Sequence, residues 1–330
     1  MKKIIFLSLL GFICLVQIQS QTVSKTVELL EAGSAFRGIV SKEAVLEVID
    51  TNFIFVEGPV WHPEGYLLFS DIPANKIYRW QAGHGFRVYL EPSENSNGLT
   101  FDHQLRLIRC AHSARSVIRH EFDGSKTVLA SHYNGKKLNS PNDLVLHSSG
   151  ALFFTDPCWG LKGLENSPDK ELPYSGLYLL RNDNLMLIDS TLWRPNGLAL
   201  SPDEKTLFVS DMFTDNTGNI KVFYRYQLDE KANVISKELL HVTNPPHEIL
   251  GKVNGFDGLK TDVAGNLYCT GPHGIVVFDQ NGNYLGTIVT PLSPANCAWG
   301  DEDFSTLYIT ARKHLYRIKL KNKGFWSQPR

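Results

Sequence analysis

The stretch NSPNDLVLHSSGALFFTDP, residues 139–157, decides the fold. It reads as a β-hairpin: an alternating strand, a Ser-Ser-Gly turn and an apolar strand, with Asn142 and Asp143 standing just before a run made for a core. Buried amides and carboxylates cost free energy unless something binds them, so this corner is either wet or partnered.

The second half of the stretch, ALFFTD (151–156), recurs along the chain. YLLFSD starts at Tyr66, RLIRCA at Arg106, TLFVSD at Thr206, NLYCTG at Asn266 and TLYITA at Thr306. In all six the second residue is Leu, the third is large and apolar, and the fifth is Ser, Thr or Cys. The starts lie 40, 45, 55, 60 and 40 residues apart, about the length of a four-stranded sheet with its turns. Runs such as KIYRW, FRVYL, GLYLL, KVFYRYQL, GIVVFD and HLYRIKL fill the gaps between Gly, Pro, Asn and Asp turn signals, and no long amphipathic helix is patterned between residues 50 and 325. Six sheets without helical partners bury their faces by packing radially around a channel, which predicts an all-β, six-bladed β-propeller. The segment AVLEVID (44–50) is expected to add a strand to the last blade and close the ring.

Nine or ten residues before each repeat stands a second element: Glu57-Gly58-Pro59, Asn97-Gly98-Leu99, Asn142-Asp143-Leu144, Asn196-Gly197-Leu198, Asp257-Gly258-Leu259 and Asn296-Cys297-Ala298. Its first position is always an acid or an amide. Any one of these could merely cap a turn; six in one register, on the innermost strands, are expected to converge on the axis. Oxygen donors that include two carboxylates suit a hard divalent cation and make a central metal site, with Ca2+ the first candidate and Zn2+, Mg2+ or Mn2+ as alternatives.

Composition fits a large core, with 42% hydrophobic and 20% charged residues in 330. Residues 1–20, MKKIIFLSLLGFICLVQIQS, have the charged start and apolar run of a signal peptide. The expectation is therefore a single propeller domain over 21–330, exported to the periplasm or secreted, with no membrane anchor after cleavage. Removing two lysines and no acids takes the net charge from -1 to -3. No basic stretch alternates with aromatics, which argues against nucleic acid as a partner. The remaining cysteines, Cys110, Cys158, Cys269 and Cys297, match no zinc spacing, and no disulfide is expected. No Gly-x-Ser-x-Gly elbow is present, which disfavours a serine hydrolase.

The stretches EGPVWHPEGYLLFSD, GKKLNSPNDLVLHSSGALFFTDP, ELPYSGLYLL, RPNGLALSPDEKTLFVSD, NGFDGLKTDVAGNLY and NCAWGDEDFSTLYITA resemble the SMP-30/gluconolactonase/luciferin-regenerating-enzyme-like propellers, in particular the bacterial gluconolactonase-like branch. The resemblance runs from Glu57 to Ala311. It implies that Glu57, Asn142, Asn196 and Asp257 ligate a catalytic divalent metal, with Asp257 also the acid-base residue. It further implies a substrate-binding set at the channel mouth: Asn97, His112 and Lys137, to which Trp159 and His273 are added as neighbours of the mouth. The sequence departs from the branch at Cys158-Trp159 and at His273.

The chemistry implied is hydrolysis of a small-molecule lactone, such as gluconolactone. The metal would polarise the carbonyl while Asp257 takes a proton from the attacking water, with His112 or His273 able to share the base role. Residues 157–175, PCWGLKGLENSPDKELPYS, form the longest polar interruption within a repeat and are expected to act as a substrate lid, with Trp159 and Tyr174 facing a ring. Two alternatives stand beside this reading: phosphotriester hydrolysis on the same metal, and a non-catalytic exported propeller that binds a partner.

Overall fold

The structure is a computed structural model and describes residues 24–31, 33–214, 220–240, 256–271 and 273–327. The expected signal peptide lies outside the described residues. Each repeat is an antiparallel sheet, and the inner strands touch one another in cyclic order. Blade 1 comprises Val56–His62, Tyr66–Asp71, Lys76–Gln81 and Gly85–Leu90. Blade 2 begins with Ser96–Phe101, blade 3 with Leu144–Leu146, blade 4 with Pro195–Leu200, blade 5 with Leu259–Thr261 and blade 6 with Asn296–Gly300. The arrangement is the six-bladed propeller that the repeat predicts.

The repeated residues have separable jobs. The second-position Leu packs toward the preceding blade and the third-position residue toward the following one: Leu152 joins Ile108 and Val117, while Phe153 joins Leu198 and Val209. Leu207 and Phe208 split in the same way. These strands are therefore buried on both faces, and each such side chain contributes roughly 1.5–3 kcal/mol. The fifth-position hydroxyl stitches blade to blade. Ser70 Oγ donates to Asn97 O over 2.8 Å, Thr155 Oγ1 to Asn196 O over 2.8 Å, and Ser210 Oγ to Asp257 O over 2.9 Å. Blade 2 has Cys110 at this position, and there the backbone N of Gly98 reaches Asn142 O over 2.8 Å.

The ring closes through the N-terminal strand Val45–Asp50, which pairs with His314–Lys319 and sets Leu46 opposite Ile318. Stacking of Trp61 on Tyr308, with ring centroids 5.3 Å apart, joins blades 1 and 6. At one end of the channel the C-terminal segment lies across the opening. Phe325 N donates to Thr261 O, Ser327 Oγ to Leu146 O, and Trp326 stacks on Phe304. Beneath it remains a small, largely apolar cavity of about 90 Å³. All four described cysteines are buried and free.

Candidate active site

The opposite end of the channel opens into a cavity of about 590 Å³, lined by Glu57, Asn97, His112, Asn142, Trp159, Asn196, Met212, Asp257 and Arg312 among others. Five of the six first-position residues therefore meet here, each held on an innermost strand or just before one. The glycine that follows several of them is explained by crowding at the axis. A Cβ on Gly98 would come within 2.7 Å of Asn142 O, and one on Gly197 within 2.5 Å of Asp257 O. The Asn-Gly pairs are thus contacts between blades, and the turn-cap explanation is set aside.

The amides form a directed chain. Asn97 Nδ2 donates to Asn142 Oδ1 over 2.6 Å, and Asn142 Nδ2 donates to Asn196 Oδ1 over 2.6 Å. His112 Nε2 lies 3.3 Å from Asn142 Oδ1 and 3.4 Å from Asn97 Nδ2. Burial pushes the imidazole of His112 down to about 4, leaving it neutral and a weak base. The two carboxylates move the other way. Burial, then repulsion from Asp143, pushes Glu57 up to about 7; burial, then Glu57 and Asp143, holds Asp257 well above the ordinary carboxylate range. Glu57 is 3% exposed, whereas Asp257 retains partial exposure on the cavity side.

Three expectations need correction. Asn296 does not line this cavity: its Nδ2 donates to Asp143 Oδ2 over 3.2 Å, and its Oδ1 accepts from Cys297 N over 2.9 Å and from Lys260 Nζ over 3.4 Å. Lys137 lies in a short two-stranded ribbon, His132–Tyr133 with Lys136–Lys137, away from the cavity lining. His273 is exposed at the hairpin between the second and third strands of blade 5 and is likewise absent from the lining. Lys260, Met212 and Arg312 are the residues that sequence reasoning missed; Asp143 was singled out beside Asn142 as needing a partner but was given no place in the site. Lys260 and Arg312 carry no sequence signal that separates them from ordinary strand and turn cations.

The segment from Pro157 to Ser175 is an anchored wall. Ser140 Oγ donates to Pro157 O and accepts from Gly160 N, while Leu161 and Leu172 are buried. Glu165 grips Arg194 through both oxygens, at 2.5 and 2.7 Å, and the Arg194 guanidinium lies 4.6 Å from the Trp159 ring centroid. Trp159 lines the cavity, and its Nε1 is buried without a hydrogen-bond partner among the described residues. Tyr174 instead packs against the blade 2 and 3 core.

Two carboxylates pushed upward by burial and by neighbouring carboxylates, beside oriented amide oxygens, are a donor set that a dication would relieve. No cluster of three or more His, Cys, Asp or Glu side chains arranged to share an ion exists among the described residues. An ion here would rest on two carboxylates and amide oxygens, an all-oxygen set that fits Ca2+ better than Zn2+.

Fold and cavity together define a six-bladed propeller with its working site on the axis at one end. Residues 55–313 match the SMP-30/Gluconolactonase/LRE-like region, and the chain belongs to that family. A gluconolactonase of Zymomonas mobilis is 36% identical over 305 residues, 87% of this chain and 84% of that protein. The solved structure of a gluconolactonase from Xanthomonas campestris superposes with a TM-score of 0.77 at 30% identity, covering 92% of this chain and 99% of that one. A calcium-binding regucalcin from Agrobacterium tumefaciens shares the fold, with a TM-score of 0.69 at 19% identity, covering 86% of this chain and 96% of that one.

Proposed function

We propose that the chain is a divalent-metal-dependent lactonase acting on a sugar lactone such as gluconolactone. The observation that carries this reading is the meeting of Glu57, Asp257, Asn142 and Asn196 at one cavity, together with similarity to gluconolactonases over most of the chain. These four residues would hold the ion, Ca2+ being the one their oxygens suit. When bound, such an ion supplies Lewis-acid polarisation of a carbonyl oxygen.

The chain's own groups account for the rest. Asp257, partly open to the cavity, accepts a proton from the water that attacks the lactone carbonyl carbon. As the ring C–O bond breaks, it returns that proton to the ring oxygen, giving the hydroxy acid. Ligation to a cation would weaken a carboxylate as a base; burial and the proximity of Glu57 act in the opposite direction and keep Asp257 basic. Neutral His112 and Asn97 offer polar contacts on the blade 2 side, and the Trp159 side chain offers apolar surface to the sugar ring.

The test is hydrolysis of gluconolactone, corrected for spontaneous opening, before and after EDTA, with Ca2+ or Zn2+ then restored. Activity that disappears with the chelator and returns with Ca2+ supports the reading. A protein that binds metal, ignores lactones and cleaves a phosphotriester would replace it with the phosphotriesterase alternative.

A further inference from the structure

Beneath the cavity lies a second polar layer that the lactonase chemistry does not use. Asp143 is 3% exposed and lies across the axis from blades 5 and 6. Its Oδ1 accepts from Leu144 N over 2.9 Å, and its Oδ2 accepts from Asn296 Nδ2 over 3.2 Å. Lys260 rises from the lower, apolar cavity, and its Nζ stops 4.0 Å from Asp143 Oδ2, 3.4 Å from Asn296 Oδ1 and 3.0 Å from Leu259 O. The ammonium thus sits under the carboxylates with its hydrogens directed to a carbonyl and an amide.

The charges can be counted. Glu57, Asp257 and Asp143 bring up to three negative charges to the channel centre; Asp143 acts on both of the others, and Glu57 acts on Asp257. Lys260 brings one positive charge from below, close enough to act on Glu57. With every carboxylate ionised, these four groups sum to minus two. Arg312 adds a positive charge from the exposed mouth and acts on Asp257, so Lys260 is the share of positive charge that comes from below.

We propose that Lys260 is a fixed counter-cation beneath the ion site that lowers its demand for ionic charge, and so favours divalent over trivalent ions. This rests on the metal reading above and concerns the site's selectivity. Removing Lys260 would leave the two cavity carboxylates and Asp143 below them without a cation from the lower layer. Because Coulomb energy scales with ionic charge, every cation would then bind more tightly and a trivalent ion would gain most.

The experiment is calorimetric titration of the full metal-stripped chain with CaCl2 and with LaCl3, at one pH and ionic strength, without reference to activity. For Lys260→Met the expected gain is on the order of tenfold for Ca2+ and roughly thirtyfold for La3+, shifting their ratio about threefold toward the trivalent ion. Lys260→Arg, which keeps the charge, should hold the wild-type ratio. The double variant Asp143→Asn with Lys260→Met, again at minus two, should return to within about twofold of wild type. Lys260→Gln repeats the measurement if the Met variant does not fold. Wild-type Ca2+ binding with an unchanged La3+/Ca2+ ratio in the neutral variants overturns this inference alone. A wild type that takes up no Ca2+ overturns the metal reading and this inference with it.

Discussion

The hydroxyl of Thr155 donates to the backbone carbonyl of Asn196 over 2.8 Å, so the second strand of blade 3 holds in place a cavity residue of blade 4. Thr155 is fully buried. Replacing it with Val keeps the shape and removes the donor, leaving a buried carbonyl unpaired. The expected loss is about 1–3 kcal/mol of stability, read from urea unfolding. Ser70→Ala, which frees the carbonyl of Asn97 in the same way, should cost a similar amount.

The amide chain from Asn97 through Asn142 to Asn196 separates ligand roles from substrate roles. Asn196→Ala removes an oxygen from the proposed ion set and should weaken Ca2+ binding by tenfold or more. Asn97→Ala should leave Ca2+ affinity within about threefold and raise KM instead. Calorimetry and steady-state kinetics on the two variants check the division.

The raised carboxylates fix the sign of a pH effect. Glu57 stands at about 7 in the metal-free fold against an ordinary 4.5, and Asp257 is shifted in the same direction. Between those values the folded chain binds more protons than the unfolded one. The stabilising contribution of Glu57 is therefore full below pH about 4.5 and lost as pH rises through about 7, and that of Asp257 has the same sign. Buried Asp156, also at about 7, has the same sign; His112, lowered to about 4, runs the other way below pH about 6.5. Calcium requires the ionised carboxylates, so the gap in Tm between Ca2+ and EDTA should be small at pH 5 and widen to several degrees by pH 8. Thermal melts across that range measure it, and a gap independent of pH contradicts the assignment.

Trp159 owes its position to a relay: Glu165 grips Arg194, and Arg194 packs against the indole. Glu165→Gln should loosen that wall without touching the reacting groups. KM for the lactone should rise severalfold while kcat stays within about twofold. Trp159→Ala, which removes the wall surface itself, should raise KM further.

Much of this architecture is legible in the sequence because a propeller repeats its constraints. Leu152 and Phe153 face different neighbouring blades, Thr155 stitches and Asn142 faces the axis; the same four demands return in other blades and leave a visible register. What the register hides is where blades depart from it. Asn296 has the expected residue type in the expected place, yet Asp143 and Lys260 draw it into the lower layer. Those partners lie far away in sequence, and nothing local announces them. Lys137 and His273 stand outside the cavity lining for a related reason: proximity to a repeat in sequence does not fix the direction of a loop. Arg312 entered the cavity unannounced from a turn, with a positive φ of 56°.

The segment Phe325–Ser327 has a kinetic consequence. With the tail laid across one opening and Lys260 beneath the carboxylates, the described channel is a cul-de-sac. Among the described residues, the doorway to the cavity is the one that Trp159 and Arg312 line, and substrate and hydroxy acid share it. Each turnover therefore ends with the newly formed carboxylate leaving past the groups that admit the next lactone, and traffic through the enzyme is one-way-at-a-time.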